Sequence, residues 1–341
     1  MTLTHIMESD VFIIGEIGQA HDGNLGVAHS YIDALADTKI NAAKFQVHIA
    51  EAESSIYEPF RIPIPYLNES RMEYWKRMEF TPDQWFGLKN HCEERGLEFI
   101  ATPSCLAAAD LLIKLGVQKF KVGSGDTSNL LLLQHIANTG KDIILSSGMS
   151  SKQELDVTIQ FLKSKNNKIS LLQCTSSYPT KTDQWGLNLI QEYKDRYNIP
   201  IGFSDHSGGT VACLAAANLG AQILEFHVVF DKRIAGPDST SSITIDQAAT
   251  LAESVRLIET ALKNPVNKTD NSSFSDLKDI FEKSLAINKK LSKGHYLSIK
   301  DLETKKPKGR GISVKEYEMV IGKQLNKDLD QWAFLTENDI Y

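Results

Sequence analysis

Only four of the 341 residues are cysteine, at positions 92, 105, 174 and 213, and no two of them stand in CxxC spacing. That argues against a disulfide framework and a thiolate zinc module. With no secretory leader ahead of them, the expectation is a reduced, cytoplasmic protein. Basic residues do not dominate either: 37 Lys and Arg face 43 Asp and Glu, for a net charge of −6. A nucleic-acid partner, which needs a concentrated basic surface, is therefore not expected. No apolar run approaches the roughly 18 residues of a membrane-crossing helix. The partner implied is a small molecule.

What the chain does have is eight short β-rich apolar runs between residues 11 and 230. They read VFIIGE (11–16), AAKFQVH (42–48), LEFIATP (97–103), VQKFKVGSGD (117–126), DIILSSG (142–148), ISLLQCTSSYP (169–179), IPIGFSDHS (199–207) and AQILEFHVVF (221–230). Such density of Val, Ile, Leu and Phe suits strands buried on both faces of a parallel sheet. Between them lie amphipathic segments such as 24–39, 82–95, 151–163 and 208–219. Strand and helix alternating eight times predict a (β/α)8 TIM barrel, with its chemistry at the C-terminal strand ends. Cys92, Cys105 and Cys213 fall on helical stretches and are expected to be small core residues.

The barrel pattern closes with a helix near 246–263, which sets a catalytic domain over 1–264. The polar stretch that follows reads as a linker over 265–280, and residues 281–341 as a second domain of about 60 residues, small enough to gain from docking. Residues 51–80 form a long insertion at the catalytic rim. Its Pro63, Pro65, Tyr66, Tyr74 and Trp75 suggest a structured lid or a subunit contact.

Nearly every strand ends in residues suited to an anion or a metal. His206 and His227 sit at the tips of the last two strands. They read either as hydrogen-bonded barrel residues or as a pair sharing one divalent ion, whose shell substrate or water would complete. Lys44 and Lys121 lie in runs otherwise fit for burial. A buried ammonium costs several kcal/mol unless an anion compensates it, so the pair predicts a bound phosphate or carboxylate, or one Schiff-base lysine. Thr102, Ser124, Ser146, Ser147, Thr175, Ser176 and Ser204 supply donors around them. Glu16, in GEIGQAHDGN, is a carboxylate at the same rim that could orient a hydroxyl or move a proton, while Asn24 reads as a helix N-cap.

Taken in order, GEIGQAHDGN, AKFQVH, FIATP, FKVGSGD, ILSSGM, CTSSYP, GFSDHS, LEFHVVFDK and GPD resemble the sialic acid synthase family, over nearly the whole chain. That family includes the N-acetylneuraminate, legionaminic acid and pseudaminic acid synthases. The C-terminal stretch, KSLAINKKLSKGHYLSIKDLETKKP with YEMVIGK after it, resembles the family's antifreeze-like SAF domain of β-clip type, which swaps across a homodimer. The resemblance implies condensation of phosphoenolpyruvate with the open-chain aldehyde of an N-acyl amino sugar, N-acetylmannosamine first, to a nine-carbon 2-keto acid and phosphate. It implies a phosphoenolpyruvate cradle of Lys44, Thr102, Lys121, Ser124, Ser146, Ser176 and Ser204. It also implies acceptor contacts from Glu16, Gln46, Asp126, Tyr178 and Asp238, and a divalent ion, Mn2+ before Mg2+ or Co2+, on His206 and His227.

Four positions depart from the family pattern. Ser176 stands where many members have asparagine, Asp126 where many have glutamate, and Phe226 replaces a basic residue before the second histidine. In KKPKGRG the family's sugar-contacting arginine appears as Lys306, so either Arg310 takes over the contact or the acceptor differs at its acyl group. The alternatives are a legionaminic- or pseudaminic-type acceptor, a 2,4-diacetamido-trideoxyhexose; a Schiff-base aldolase; and a non-catalytic paralogue.

Overall fold

Side chains alternate across a strand, so each strand of a barrel shows one set of residues to the interior and the other to the surrounding helices. In the computed structural model, which describes residues 10–62 and 68–341, eight strands are placed this way. They are β1 (Phe12–Gly18), β2 (Ala42–Val47), β3 (Glu98–Pro103), β4 (Lys119–Val122), β5 (Asp142–Ser146), β6 (Ile169–Cys174), β7 (Ile201–Asp205) and β8 (Ile223–Val229). Each pairs in parallel with the next, and β1 pairs with β8 from Phe12 against Ile223 to Glu16 against His227, closing the barrel. A two-residue strand, β9 (Ile243–Thr244), adds to β8 outside the ring.

The helices are α1 (Leu25–Ala36), α2 (Ala50–Glu53), α3 (Arg71–Met78), α4 (Pro82–Glu94), α5 (Leu106–Leu115), α6 (Leu130–Ala137), α7 (Lys152–Ser164), α8 (Asn188–Tyr197), α9 (Val211–Asn218) and α10 (Ile245–Lys263). Their starts are set by side chains. Asn24 accepts from the Val27 backbone at α1, and capping boxes open α3 (Ser70 with Glu73), α4 (Thr81 with Gln84), α7 (Ser151 with Glu154) and α10 (Thr244 with Gln247). The outward strand residues and the inner helix faces make one large core that includes Ile13, Phe45, Trp85, Phe120 and Phe226. A smaller cluster, Ile14, Ala42, Ile100, Ile144, Leu172 and Ile223, fills the barrel interior below the site.

The chain divides between Asn264 and Pro265 into two compact units. The second has its own core of Leu285, Ile287, Leu297, Ile312, Leu325 and Leu335 among others. It carries α11 (Ser275–Phe281), an antiparallel pair β10 (Ser284–Ile287) and β11 (Leu302–Lys305), and α12 (Tyr317–Val320). The latter part of the stretch read as a linker is thus helical.

Two expectations need correcting. Cys105 is not inside a helix; it is the N-cap of α5 and only partly buried, because its extended backbone ends the strand-to-helix turn. The run 117–126 is not strand throughout: β4 stops at Val122, and Ser124–Asp126 form a 3-10 turn. In the insertion, Tyr74 and Trp75 are buried on α3, whereas Pro63, Pro65 and Tyr66 lie outside the described residues.

Candidate active site

The same two-residue period that packs Ile14, Ala42, Ile100, Ile144 and Ile223 against one another brings Glu16, Lys44, Thr102, Ser146 and Glu225 to the interior one step nearer the C-terminal mouth, and His227 two steps nearer. Lys121 and Ser204 join them from β4 and β7. Glu16, Lys44, Lys121, Ser146, Ser204, Glu225 and His227 are all buried.

Charge in this layer is compensated within the protein. Lys44 pairs directly with Glu16 and lies 3.7 Å from Glu225 Oε1; Lys121 Nζ is 3.5 Å from the same oxygen. Lys121 also donates to Ser146 Oγ (2.7 Å) and the Val122 carbonyl (3.2 Å), and Ser204 donates to Glu225 Oε1 (3.0 Å). Glu16 and Glu225 thus face the two lysines from within the protein. Glu225 was overlooked as part of an apolar run. Its signal was available, since it stands two residues before His227 on the same strand face.

The environment splits the two lysines. Burial works against charge on Lys44, but Glu16 and Glu225 outweigh it and hold its pKa above the ordinary lysine value. Lys121 is pushed below that value by burial and by the neighbouring Lys44, with Glu225 opposing. Glu16 is also buried, yet the charges of His227 and Lys44 and hydrogen bonds from Lys44 and Gln46 hold it well below the usual carboxylate range.

Above this layer, Ser124 and Ser176 converge on Gly148, where a Cβ would collide with Ser124 Oγ and lie 2.6 Å from Ser176 Oγ. Only glycine leaves the space open, and its φ of +26° suits glycine as well. Thr102 Oγ1 and Ser176 Oγ are buried with no hydrogen-bond partner among the described residues. Unpaired buried hydroxyls are uncommon and mark a place where an incoming polar group is accommodated.

A chain of hydrogen bonds is built around Glu16. Gln46 donates to Glu16 Oε1 (2.7 Å), Gln19 donates to Gln46 Oε1 (3.3 Å), and Tyr74 donates to Gln19 Oε1 (2.7 Å). His227 Nε2 lies 3.4 Å from Glu16 Oε2. The His206 and His227 rings are 5.5 Å apart, with the Tyr178 ring 4.2 Å from that of His206. His206 Nδ1 is 3.0 Å from the Thr175 carbonyl, which can only accept, so that nitrogen carries a proton and Nε2 is the one left for a ligand. Burial opposes charge on His206, but the Cys174 sulfur at 3.8 Å and the Thr175 carbonyl push it up to about 9. A divalent cation would compete with that proton for Nε2.

No group of three or more His, Cys, Asp or Glu side chains arranged for a metal occurs among the described residues. The protein alone offers an imidazole pair, which fits an ion only if substrate or water completes its shell. A backbone carbonyl fixing the first imidazole is the usual outer support for such a ligand.

A cavity of about 340 Å³ opens beside His227. Its lining is mixed: Ile17, Ala20, Val229, Ile234 and Pro237 are apolar, and Gln19, Asp22, Arg77, Asp238 and Ser239 are polar or charged. Asp238 is held by Arg61 at 2.8 Å.

Residues 31–267 match the model of the NeuB family. The chain belongs to the NeuB family. The N,N'-diacetyllegionaminic acid synthase of Campylobacter jejuni is 32% identical over 331 residues, 95% of this chain and 98% of that one. The N-acetylneuraminate-9-phosphate synthase of Homo sapiens is 33% identical over 320 residues, 92% of this chain and 88% of that one. Among solved structures, an N-acetylneuraminic acid synthetase from Leptospira borgpetersenii in complex with citrate superposes with a TM-score of 0.69 at 32% identity, covering 79% of this chain and 90% of that one.

Within this NeuB-family barrel, the residues singled out from sequence are mostly neighbours. Glu16, Gln46, Lys44, Lys121, Ser146, Ser204, His206, His227 and Tyr178 are linked by the contacts above. Asp126 instead receives Asn129 Nδ2 at 2.9 Å within its own turn, and burial raises its pKa. Phe226 faces the helices in the main core, not the site. Lys306 and Arg310 are exposed on the second unit, Lys306 with its ammonium 4.8 Å from the Phe281 ring centroid. Arg61 and Gln19 were not foreseen, because contacts spanning 176 and 27 residues leave no local pattern.

Proposed function

We propose that this chain condenses phosphoenolpyruvate with the open-chain aldehyde of N-acetylmannosamine, or a related N-acyl sugar, to give a nine-carbon 2-keto acid and phosphate. The observation that carries the reading is the pair of unpaired buried hydroxyls, Thr102 and Ser176, at the same barrel mouth as the Lys44, Lys121 and Glu225 cluster. Buried donors without a protein partner suit the phosphate and carboxylate of phosphoenolpyruvate. Lys121, Ser124, Ser146, Ser176 and Thr102 bind that substrate, with Lys44 and Ser204 beneath, and Glu16, Gln46, Tyr178 and Asp238 orient the sugar. C3 of the enol attacks the aldehyde carbon; water then adds at C2, and the resulting tetrahedral centre expels phosphate. Glu16, ionised at neutral pH, accepts a hydrogen bond from a sugar hydroxyl in this reading. A divalent ion on His206 and His227, Mn2+ before Mg2+ or Co2+, would supply Lewis-acid polarisation of the aldehyde oxygen. A homodimer belongs to the same proposal and is checked by the mass in solution.

The apolar residues in the cavity lining beside His227 favour a second reading of the acceptor. A 2,4-diacetamido-trideoxyhexose presents a methyl group and a further acetyl group to Ile17, Val229 and Ile234, where a free hydroxyl would lose hydrogen bonds. The test is phosphate release from phosphoenolpyruvate with Mn2+ and each sugar, with product mass read alongside and a chelator control. A nine-carbon keto acid from N-acetylmannosamine supports the first reading, and turnover only with the diacetamido sugar supports the second. Borohydride trapping of pyruvate on Lys121 without phosphate release would replace both with aldolase chemistry.

A further inference from the structure

The loop between α2 and α3 places Arg61 over the acceptor side of the mouth. Its Nη2 donates to the Pro237 carbonyl (2.6 Å) and to Asp238 Oδ1 (2.8 Å), both in the loop after β8. The guanidinium centre lies 3.8 Å from the Tyr178 ring centroid, and that ring is 4.2 Å from His206. One side chain thus ties the loops after β2, β6 and β8 together, one aromatic ring away from the histidine pair.

Stability does not account for this arrangement. The Arg61 side chain is 42% exposed, and a half-exposed ion pair contributes only about 0–1 kcal/mol. An arginine has five N–H donors, and only Nη2 has a partner among the described residues. The guanidinium lies over the Tyr178 ring, and its remaining N–H groups form a planar donor edge. Asp238 already neutralises its charge, so what it matches is an uncharged acceptor of hydrogen bonds and not a second anion. In a sugar of the proposed class, the amide oxygen of the N-acyl group is the strongest such acceptor.

We infer that Arg61 is a specificity-determining residue that recognises the N-acyl oxygen of the acceptor sugar from the barrel's own rim. This rests on the proposed condensation. It assigns to one residue the choice between acylated and unacylated sugars. Tyr178 and Asp238, besides their proposed contacts to the sugar, hold the guanidinium in place.

The test is steady-state kinetics on the full chain with phosphoenolpyruvate and Mn2+, using N-acetylmannosamine and the 2,4-diacetamido sugar as probes. Wild type is run beside Arg61→Ala and Arg61→Lys. Arg61→Ala is expected to raise the acceptor KM about tenfold, the effect of one lost hydrogen bond in a fixed geometry, while the phosphoenolpyruvate KM and the melting temperature stay put. Arg61→Lys is expected to recover only a minor part, because an ammonium lacks the planar fork. An unchanged acceptor KM in Arg61→Ala, full recovery in Arg61→Lys, or an equal rise in both KM values would each overturn the assignment. Wild type inactive with both sugars would instead overturn the condensation reading on which it rests.

Discussion

The lower and upper layers of the barrel interior are made by the same strands, two residues apart, and they are chemical opposites. Ile14, Ala42, Ile100, Ile144 and Ile223 form a sealed floor; stepping along each strand gives Glu16, Lys44, Thr102, Ser146 and Glu225. On β7 the step runs from Gly202 to Ser204, and Gly202 has no room for more, since a Cβ would lie 2.5 Å from Leu172 Cδ2 in the floor. The floor contributes burial. The layer above it gives up much of that gain to desolvate four charged groups, which only pairing makes tolerable. The floor's second effect is electrical: by excluding water beneath the site it strengthens every interaction above it.

The largest effect should come from making the floor resemble the layer above. Ile14→Glu would bury a carboxylate among the apolar side chains of Ala42, Ile100 and Ile223. An uncompensated buried charge costs several kcal/mol, comparable to the whole stability of a domain at about 5–15 kcal/mol. The expected outcome is loss of the cooperative melting transition and of soluble yield. A soluble Ile14→Glu variant melting within a few degrees of wild type would show that the floor is not sealed.

The reverse exchange is smaller. Glu225→Leu removes the carboxylate that faces Lys121 and leaves Lys44 its pair with Glu16. Breaking one side of a buried pair typically costs about 3–5 kcal/mol, readable as a drop in denaturation midpoint. Adding Lys121→Met to Glu225→Leu should return more than half of that loss, since no charge is then stranded. A double variant as unstable as the sum of the singles would mean that the two side chains are not coupled.

Acid provides a third handle. Glu16 has a folded pKa below its ordinary value of 4.5, so its pairs with Lys44 and His227 contribute stability that is fully present above that value. The contribution is lost as pH falls below 4.5 toward the folded pKa, because the unfolded state then binds the extra proton. Glu16→Gln should therefore lose less stability than wild type between pH 5 and about 3. Parallel pH profiles of the two proteins would remove Glu16 from the account of acid sensitivity.

How far the molecule was readable follows from the same contrast. The eight strands were legible because strands buried on both faces cannot hide their apolar character, and the helix starts because caps are local. Lys44, Lys121, His206 and His227 stood out as polar residues in apolar runs. Glu225 was passed over inside LEFHVV, although a carboxylate on the His227 face carries the same message as the lysines. Without it the lysines read as awaiting an anion, while in the structure they already have carboxylates. Arg61 was not legible, because its partners are joined to it only by the way the loops after β2, β6 and β8 meet. Local patterns report which residues are buried; they do not report which buried residues neutralise one another.

The smallest effect should separate the layers most sharply, because it uses one strand and two neighbouring interior positions. Ile144 in the floor and Ser146 above it both lie on β5. Ile144→Val removes one methylene from a filled interior and should cost about 0.5–1.5 kcal/mol, seen as a lower melting temperature with both KM values unchanged. Ser146→Ala removes the hydroxyl that receives Lys121. A donor that loses its acceptor costs a similar roughly 1–3 kcal/mol, but here the freed ammonium also changes the cradle, so the phosphoenolpyruvate KM should move with stability. The two variants thus match in size and differ in kind. If Ile144→Val shifts the phosphoenolpyruvate KM as far as Ser146→Ala does, the floor is part of the binding surface, and the division between a structural and a chemical layer fails.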